Sequence, residues 1–212
     1  MASDAAQAAP TRVTRRRSET RNRLLTAAYE AFADEGFGRA TVERVCERAG
    51  FTRGAFYSNF SSLDELFLAM WEQRSAVMLA DAGTILDDIA AQGADDVRTA
   101  IERLERAVPV EDGWYRITAE FTAHALRTPA LRQVMAAREE AIVAALMPTI
   151  VAALGRGGRT VPDPDAFGQA LIAVHDGTSV QVLMEPDSRV VRRRRTELFH
   201  HIVLAYSTAT EG

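Results

Sequence analysis

Apolar residues recur at three- and four-residue intervals along most of the chain, and nowhere alternate with period two between hairpin turns. The pattern predicts an all-α fold of about nine helices, with a sheet unlikely. Leu24, Leu25, Ala28, Tyr29, Ala31 and Phe32 form one stripe, with Gly36 as its stop and Phe37 placed to fold back on the last turn. Thr41 reads as an N-cap followed by Val42, Val45, Cys46 and Ala49, and Gly50 ends that short helix. Thr52 is a second cap, opening a helix expected to run from Arg53 to Asn59. Ser62-Leu63-Asp64-Glu65 has capping-box form, with Glu65 expected to reach the cap residue's own amide. A long pattern follows through Leu66, Phe67, Met70, Trp71, Val77, Met78, Ile85 and Leu86. Further helices are expected near 95–107, 112–126, 130–154, 164–184 and 188–208. Pro148 should kink or split one of them, and the glycine-rich stretch 155–158 with Pro162 and Pro164 reads as a flexible linker.

Charge adds a boundary. The net charge is −4, yet residues 1–60 carry ten Arg against seven acids and residues 61–212 fifteen against twenty-two, giving +3 and −7. The sign changes where the helix pattern changes from short to long. Every basic residue is Arg; this suits forked recognition of phosphate and guanine edges, and a GC-rich genome explains it equally well. With 47% hydrophobic residues there is material for a packed core, and residues 1–13 have nothing to bury and read as a disordered tail. The absence of a long apolar run or a secretory pattern leads to the expectation of a cytoplasmic protein without a membrane partner. Cys46 alone excludes an internal disulfide and reads as buried packing.

Residues 41–59 supply the order of a helix-turn-helix: a support helix, a tight turn at Gly50, and a second helix with Phe51 and Phe56 inward. Its outward side shows Arg53, Gly54, Ala55, Tyr57, Ser58 and Asn59. The run Thr41-Val42 through Ala49-Gly50-Phe51-Thr52-Arg53-Gly54-Ala55-Phe56-Tyr57-Ser58-Asn59-Phe60, continued by Ser-Leu-Asp-Glu-Leu-Phe, resembles the signature of TetR-family transcriptional regulators. The resemblance is close over residues 18–70 and loose beyond. It implies a DNA-binding domain at 14–61 and a ligand-binding and dimerisation domain at 62–212. Thr41 and Thr52 would meet phosphates at helix N-termini, Arg53, Ala55 and Ser58 would face base edges, and Gly54 would permit close approach. Tyr57, with Asn59 beside it, would lie on the DNA backbone. The family usually has Lys where this chain has Leu63, a lost phosphate contact that would shift load to Arg15, Arg16 and Arg17.

For the second domain the resemblance implies that middle helices enclose a small-molecule effector and that the last two form a homodimer on a palindromic operator. Pocket candidates are Phe67, Met70, Trp71, Met78, Trp114, Tyr115, Phe121, His124, Met135 and Ile142, each of which can equally be plain core. The small residues Ala170, Ala173 and Gly177 and the stripe Leu198, Ile202 and Tyr206 are the dimer candidates, with intrachain packing as the alternative. Arg192–Arg195 reads as a solvated helix face, and His175-Asp176 as core or interface. No catalytic residue, metal ligand set or cofactor is expected. The regulator is expected to repress; a helical interaction adaptor without DNA affinity is the competing reading.

Overall fold

The computed structural model describes the backbone of residues 12–92 and 96–210, with side chains from Arg16 onward except at 89, 90 and 92. Most of the expected tail, residues 1–11, lies outside the described residues. The rest comprises α1 (Arg12–Glu35), α2 (Val42–Ala49), α3 (Arg53–Tyr57), α4 (Leu63–Gln92), α5 (Val97–Ala107), α6 (Asp112–Ala125), α7 (Pro129–Arg156), β1 (Arg159–Thr160), α8 (Pro164–Met184), α9 (Arg189–Ala205) and β2 (Thr208–Ala209). The fold is all-α among the described residues, and no helix there is long and apolar enough to cross a membrane. Two compact units divide the chain at Gln73–Arg74.

In the first unit the stripe of α1 buries Leu24, Leu25, Ala28 and Phe32 against Val45, Cys46 and Ala49 of α2, with Phe56 wholly enclosed. Phe37 does fold back, its ring 5.2 Å from Phe32 and edge-on to Phe67 at 5.7 Å. Leu66, Phe67, Met70 and Trp71 of early α4 complete this core, so the unit extends past the expected limit at residue 61. Thr41 and Thr52 cap α2 and α3 by accepting from the amides of Arg44 and Ala55. Helix α3 is shorter than expected. Ser58 Oγ and Asn59 Nδ2 both donate to the Ala55 carbonyl at 2.8 Å, which closes the helix at Tyr57. At the head of α4, Ser62 Oγ accepts from the Glu65 amide as expected, but the Glu65 carboxylate accepts from the amide and hydroxyl of Ser61, one residue upstream. Cys46 is buried, and burial pushes its thiol pKa up.

In the second unit α7 stays helical through Pro148, neither split nor ended there. Met147, Val143, Ile150 and Val151 on both sides of the proline pack with Phe167 and Val203, which holds the two halves in line. The glycine-rich linker is tied down: β1 pairs antiparallel with β2, and Arg159 donates to Ser207 Oγ and to the Ser207 carbonyl, both at 2.8 Å. This two-residue pairing is a small addition to the all-α fold, and α9 ends at Ala205 just before it. Arg195 departs from the solvated face assigned to Arg192–Arg195. It is 7% exposed, ion-paired with Glu105 at 3.0 Å, bonded to Thr178, Ser179 and the His175 carbonyl, and 3.0 Å from His175 Nδ1. Desolvation by the surrounding side chains, then the Arg195 charge, lower the pKa of the otherwise exposed His175 to about 4, so the ring is neutral and Nδ1 accepts. Arg192, Arg193 and Arg194 are exposed.

Helices α7 and α8 approach closely at Gly168, where a Cβ would overlap Val143 Cγ1 and press on Met147. Gly168→Ala should therefore destabilise the protein by about 1–3 kcal/mol, read as a lowered melting temperature. An unchanged melt would show that this contact can relax freely.

Candidate nucleic-acid interface

The turn between α2 and α3 rests on Gly50, whose φ of 70° lies in the left-handed region and lets the Phe51 amide reach the Cys46 carbonyl at 2.9 Å. Arg23 of α1 fixes the same turn from the side. It donates to the Ala49 carbonyl at 2.8 Å and lies over the Phe51 ring at 4.7 Å. With the turn held and Phe56 enclosed, α3 presents Thr52, Arg53, Gly54, Tyr57 and Ser58 outward, and Ala55 is half-buried. Tyr57 is 52% exposed, its ring edge-on to Phe56 at 5.2 Å. A tyrosine so placed offers a flat face and a hydroxyl at the surface of a rigid element.

The charges around α3 fall into two sets. Arg17 and Arg21, one helical turn apart on α1, reach the Ser58 and Asn59 carbonyls at 3.3 and 3.4 Å, and Arg21 lies over Phe60 at 4.4 Å. Those acceptors are neutral and leave the charges in place, though the Glu65 carboxylate is near enough to Arg21 for its pKa to be lowered by that charge. Arg17, Ser18, Arg21 and Asn59 line an open groove beside the end of α3. Arg44 and Arg48 of α2 instead pair with Glu35, at 3.3 Å, and Asp34, at 2.7 Å. On α3 itself Arg53 Nη1 is 2.8 Å from Glu43 Oε1, and its guanidinium is 5.9 Å from the Tyr57 ring centre. The backbone amide of Glu43, with the Arg53 charge and the Thr41 hydroxyl, holds the Glu43 carboxyl below the usual range. Interaction with Tyr57, then with Glu43, raises the Arg53 pKa.

The structure brings together Arg16, Arg17, Thr41, Thr52, Arg53, Gly54, Ala55, Tyr57, Ser58 and Asn59 in one unit. Arg15 lies in the first turns of α1, and its side chain is outside the described residues. Asn59 is a correction to the outward set: it is half-buried and its amide nitrogen closes α3. The Thr52 hydroxyl accepts in its cap and keeps a proton to donate, whereas the Thr41 hydroxyl accepts from Arg44 in its cap and donates to the Glu43 carboxylate. Leu63 is half-buried and supplies no cation. Ser18, Arg21, Arg23 and Glu43 were missed from the sequence. The four-residue spacing of Arg17 and Arg21 was a signal, whereas the partners of Arg23 and Glu43 are set by tertiary packing.

The pocket candidates divide. Phe67, Met70 and Trp71 belong to the core of the first unit and are removed from the set by that packing. In the second unit Phe121 and Met135 are buried, and Met78, Trp114, Tyr115, His124 and Ile142 are half-buried. Arg74 lies over Trp114 at 5.3 Å and pairs with Glu111. Of the dimer candidates, Ile202 packs into the Phe167 core and Tyr206 stacks on Phe167 at 6.0 Å, so both are intrachain contacts. Ala170 is half-buried, Ala173 and Gly177 are exposed, and Leu198 is 43% exposed.

The family model described as bacterial regulatory proteins, tetR family, matches residues 24–70, and the one described as BetI-type transcriptional repressor, C-terminal, matches residues 93–206. The chain is 33% identical over 113 residues to the HTH-type transcriptional repressor Rv1474c of Mycobacterium tuberculosis, covering 49% of this chain and 60% of that protein. It spans about half the length of the curated relatives it matches. A TetR-family transcriptional regulator from Mesorhizobium loti superposes with a TM-score of 0.70 at 17% identity, over 93% of this chain and 97% of that one. The multidrug binding protein EbrR, complexed with imidazole, superposes with a TM-score of 0.64 at 24% identity, over 92% and 97%. At these identities the two structures speak for the fold.

Gly50→Ala should cost about 1–2 kcal/mol, because an alanine is strained in the left-handed region and its Cβ would meet Arg23 Nη2 at 3.3 Å. Chemical denaturation measures this directly; a variant as stable as the parent would show that the turn can be rebuilt without a left-handed residue.

Proposed function

Since the chain belongs to the TetR family of bacterial regulatory proteins, we propose that it is a repressor whose homodimer grips a palindromic operator and lets go when a small molecule binds the second unit. The observation that carries the DNA half is the exposed Arg53–Tyr57 face of α3, held outward by the enclosed Phe56, beside Arg17 and Arg21, whose hydrogen bonds go to neutral carbonyls. A short rigid helix with a flat aromatic and a forked cation fits the major groove, and the α1 arginines fit the flanking phosphates. The mycobacterial relative's description as a repressor supports the direction of control.

A homodimer supplies the second reading helix that a palindrome needs, about 34–36 Å from the first. The exposed Ala173, Gly177 and Leu198 on α8 and α9 are the contact face we assign to it. The effector would sit among Trp114, Tyr115, Phe121, His124, Met135 and Ile142, with Met78 of α4 alongside. EbrR, a multidrug binding protein complexed with imidazole, supports a small organic molecule as the effector class. Helix α4 is continuous through both units, so a ligand that shifts its later turns biases the turns that complete the α3 core. Coupling of about 1–3 kcal/mol would weaken operator binding about 5–150-fold.

The test is binding of the full chain to duplexes selected from a random library, followed over a range of salt. Two protomers per enriched palindrome are expected, with Tyr57→Ala weakening binding at an unchanged melting temperature. Arg17→Gln and Arg21→Gln should each lower the salt slope by about 0.9. Failure to prefer any sequence would leave the chain as a helical interaction module.

A further inference from the structure

We infer that Glu43 is a positioning residue for Arg53: its carboxylate aims the guanidinium at a base edge and keeps it off the phosphate backbone. The inference rests on the reading of α3 as the DNA-facing helix and extends it to how that helix discriminates. Glu43 stands on α2, two residues past the Thr41 cap, and Arg53 opens α3, so their contact spans the helix-turn-helix. One carboxylate oxygen lies 2.8 Å from Nη1. With Glu43 on Nη1 and Tyr57 alongside, the guanidinium plane is oriented, and its rigid fork of N–H donors is the kind of group that guanine O6 and N7 accept together. The Tyr57 ring on the other side restricts the swing of the same guanidinium.

A carboxylate on this face calls for a reason, because it opposes every phosphate that approaches. Helix α2 gains from an acid in its first turn, but that gain does not require an arginine from another helix. Fold stability is not the reason either. The two side chains are 62% and 55% exposed, and ion pairs at that exposure add little. What the pair changes is the freedom of Arg53. An unrestrained arginine has many rotamers and can settle on any nearby phosphate, which strengthens binding to all sequences alike. Held by Glu43, it loses fewer conformations on reaching a base, and the carboxylate penalises the backbone alternative. Glu43 thereby trades general affinity for sequence preference.

The experiment compares the full-length wild type, Glu43→Gln and Arg53→Ala. Each is used to select from a library of random duplexes long enough for two half-sites, and is then titrated with its enriched duplex and with a scrambled one. Arg53→Ala is expected to lose the preference at one base pair in each half-site. Glu43→Gln is expected to lose it at the same pair, with discrimination falling about tenfold, and to bind the scrambled duplex more tightly than the wild type does. Its melting temperature is expected to match the wild type's. A Glu43→Gln protein that keeps the Arg53-dependent preference overturns the inference, as does one whose melting temperature falls sharply, which would make Glu43 structural. If Arg53→Ala keeps every wild-type preference, Arg53 reads no base and the inference goes with it; if the wild type enriches nothing, the DNA-facing reading itself fails.

Discussion

Burial of Phe56 is the contact on which the rest depends. A five-residue helix cannot hold its own shape in water, since nucleation costs more than so few hydrogen bonds return. Helix α3 exists because one large ring, Phe56, is wholly enclosed in the core of the first unit, and its direction is set by that anchor. Everything else around it trims the remaining freedom: the Thr52 cap, the left-handed Gly50, Arg23 on the preceding carbonyl, and Arg17 and Arg21 on the carbonyls that follow. The outward face is thus presented by contacts that are nearly all inward.

The same α1 arginines serve two ends. By bonding to carbonyls they steady the exit of α3, and because carbonyls are neutral the charge is left for an approaching phosphate. Arg44 and Arg48, facing carboxylates, keep little of theirs. The second unit uses a buried arginine differently. Arg195 gathers Glu105, Thr178, Ser179 and His175 from two other helices, and an arginine enclosed in this way needs most of those partners to offset its desolvation.

Local signals were legible in the chain itself. The caps at Thr41 and Thr52, the stop at Gly50, the return of Phe37 and the limits of α6 and α8 follow from residues within a few positions of one another. The DNA-facing set was legible through the run from Thr41 to Phe60. What escaped depended on partners far along the chain. Nothing in an Arg192–Arg195 run says that the fourth arginine turns inward; Glu105 and His175 decide that. Phe67 and Trp71 have the look of pocket aromatics until Phe32 and Phe37 are placed beside them. Ile202 and Tyr206 face Phe167 because α9 packs along α8, a pairing that their own spacing does not reveal. Asn59 lies at the right spacing for an outward residue, and its bond to Ala55 withdraws it.

Hydrogen exchange with and without a selected operator duplex tests the central claim most directly. Slowed exchange confined to peptides covering residues 16–24 and 52–60 is the expected result, with the exposed Arg192–Arg194 segment unchanged. Protection that leaves α3 untouched and appears around Arg192–Arg194 instead would contradict it.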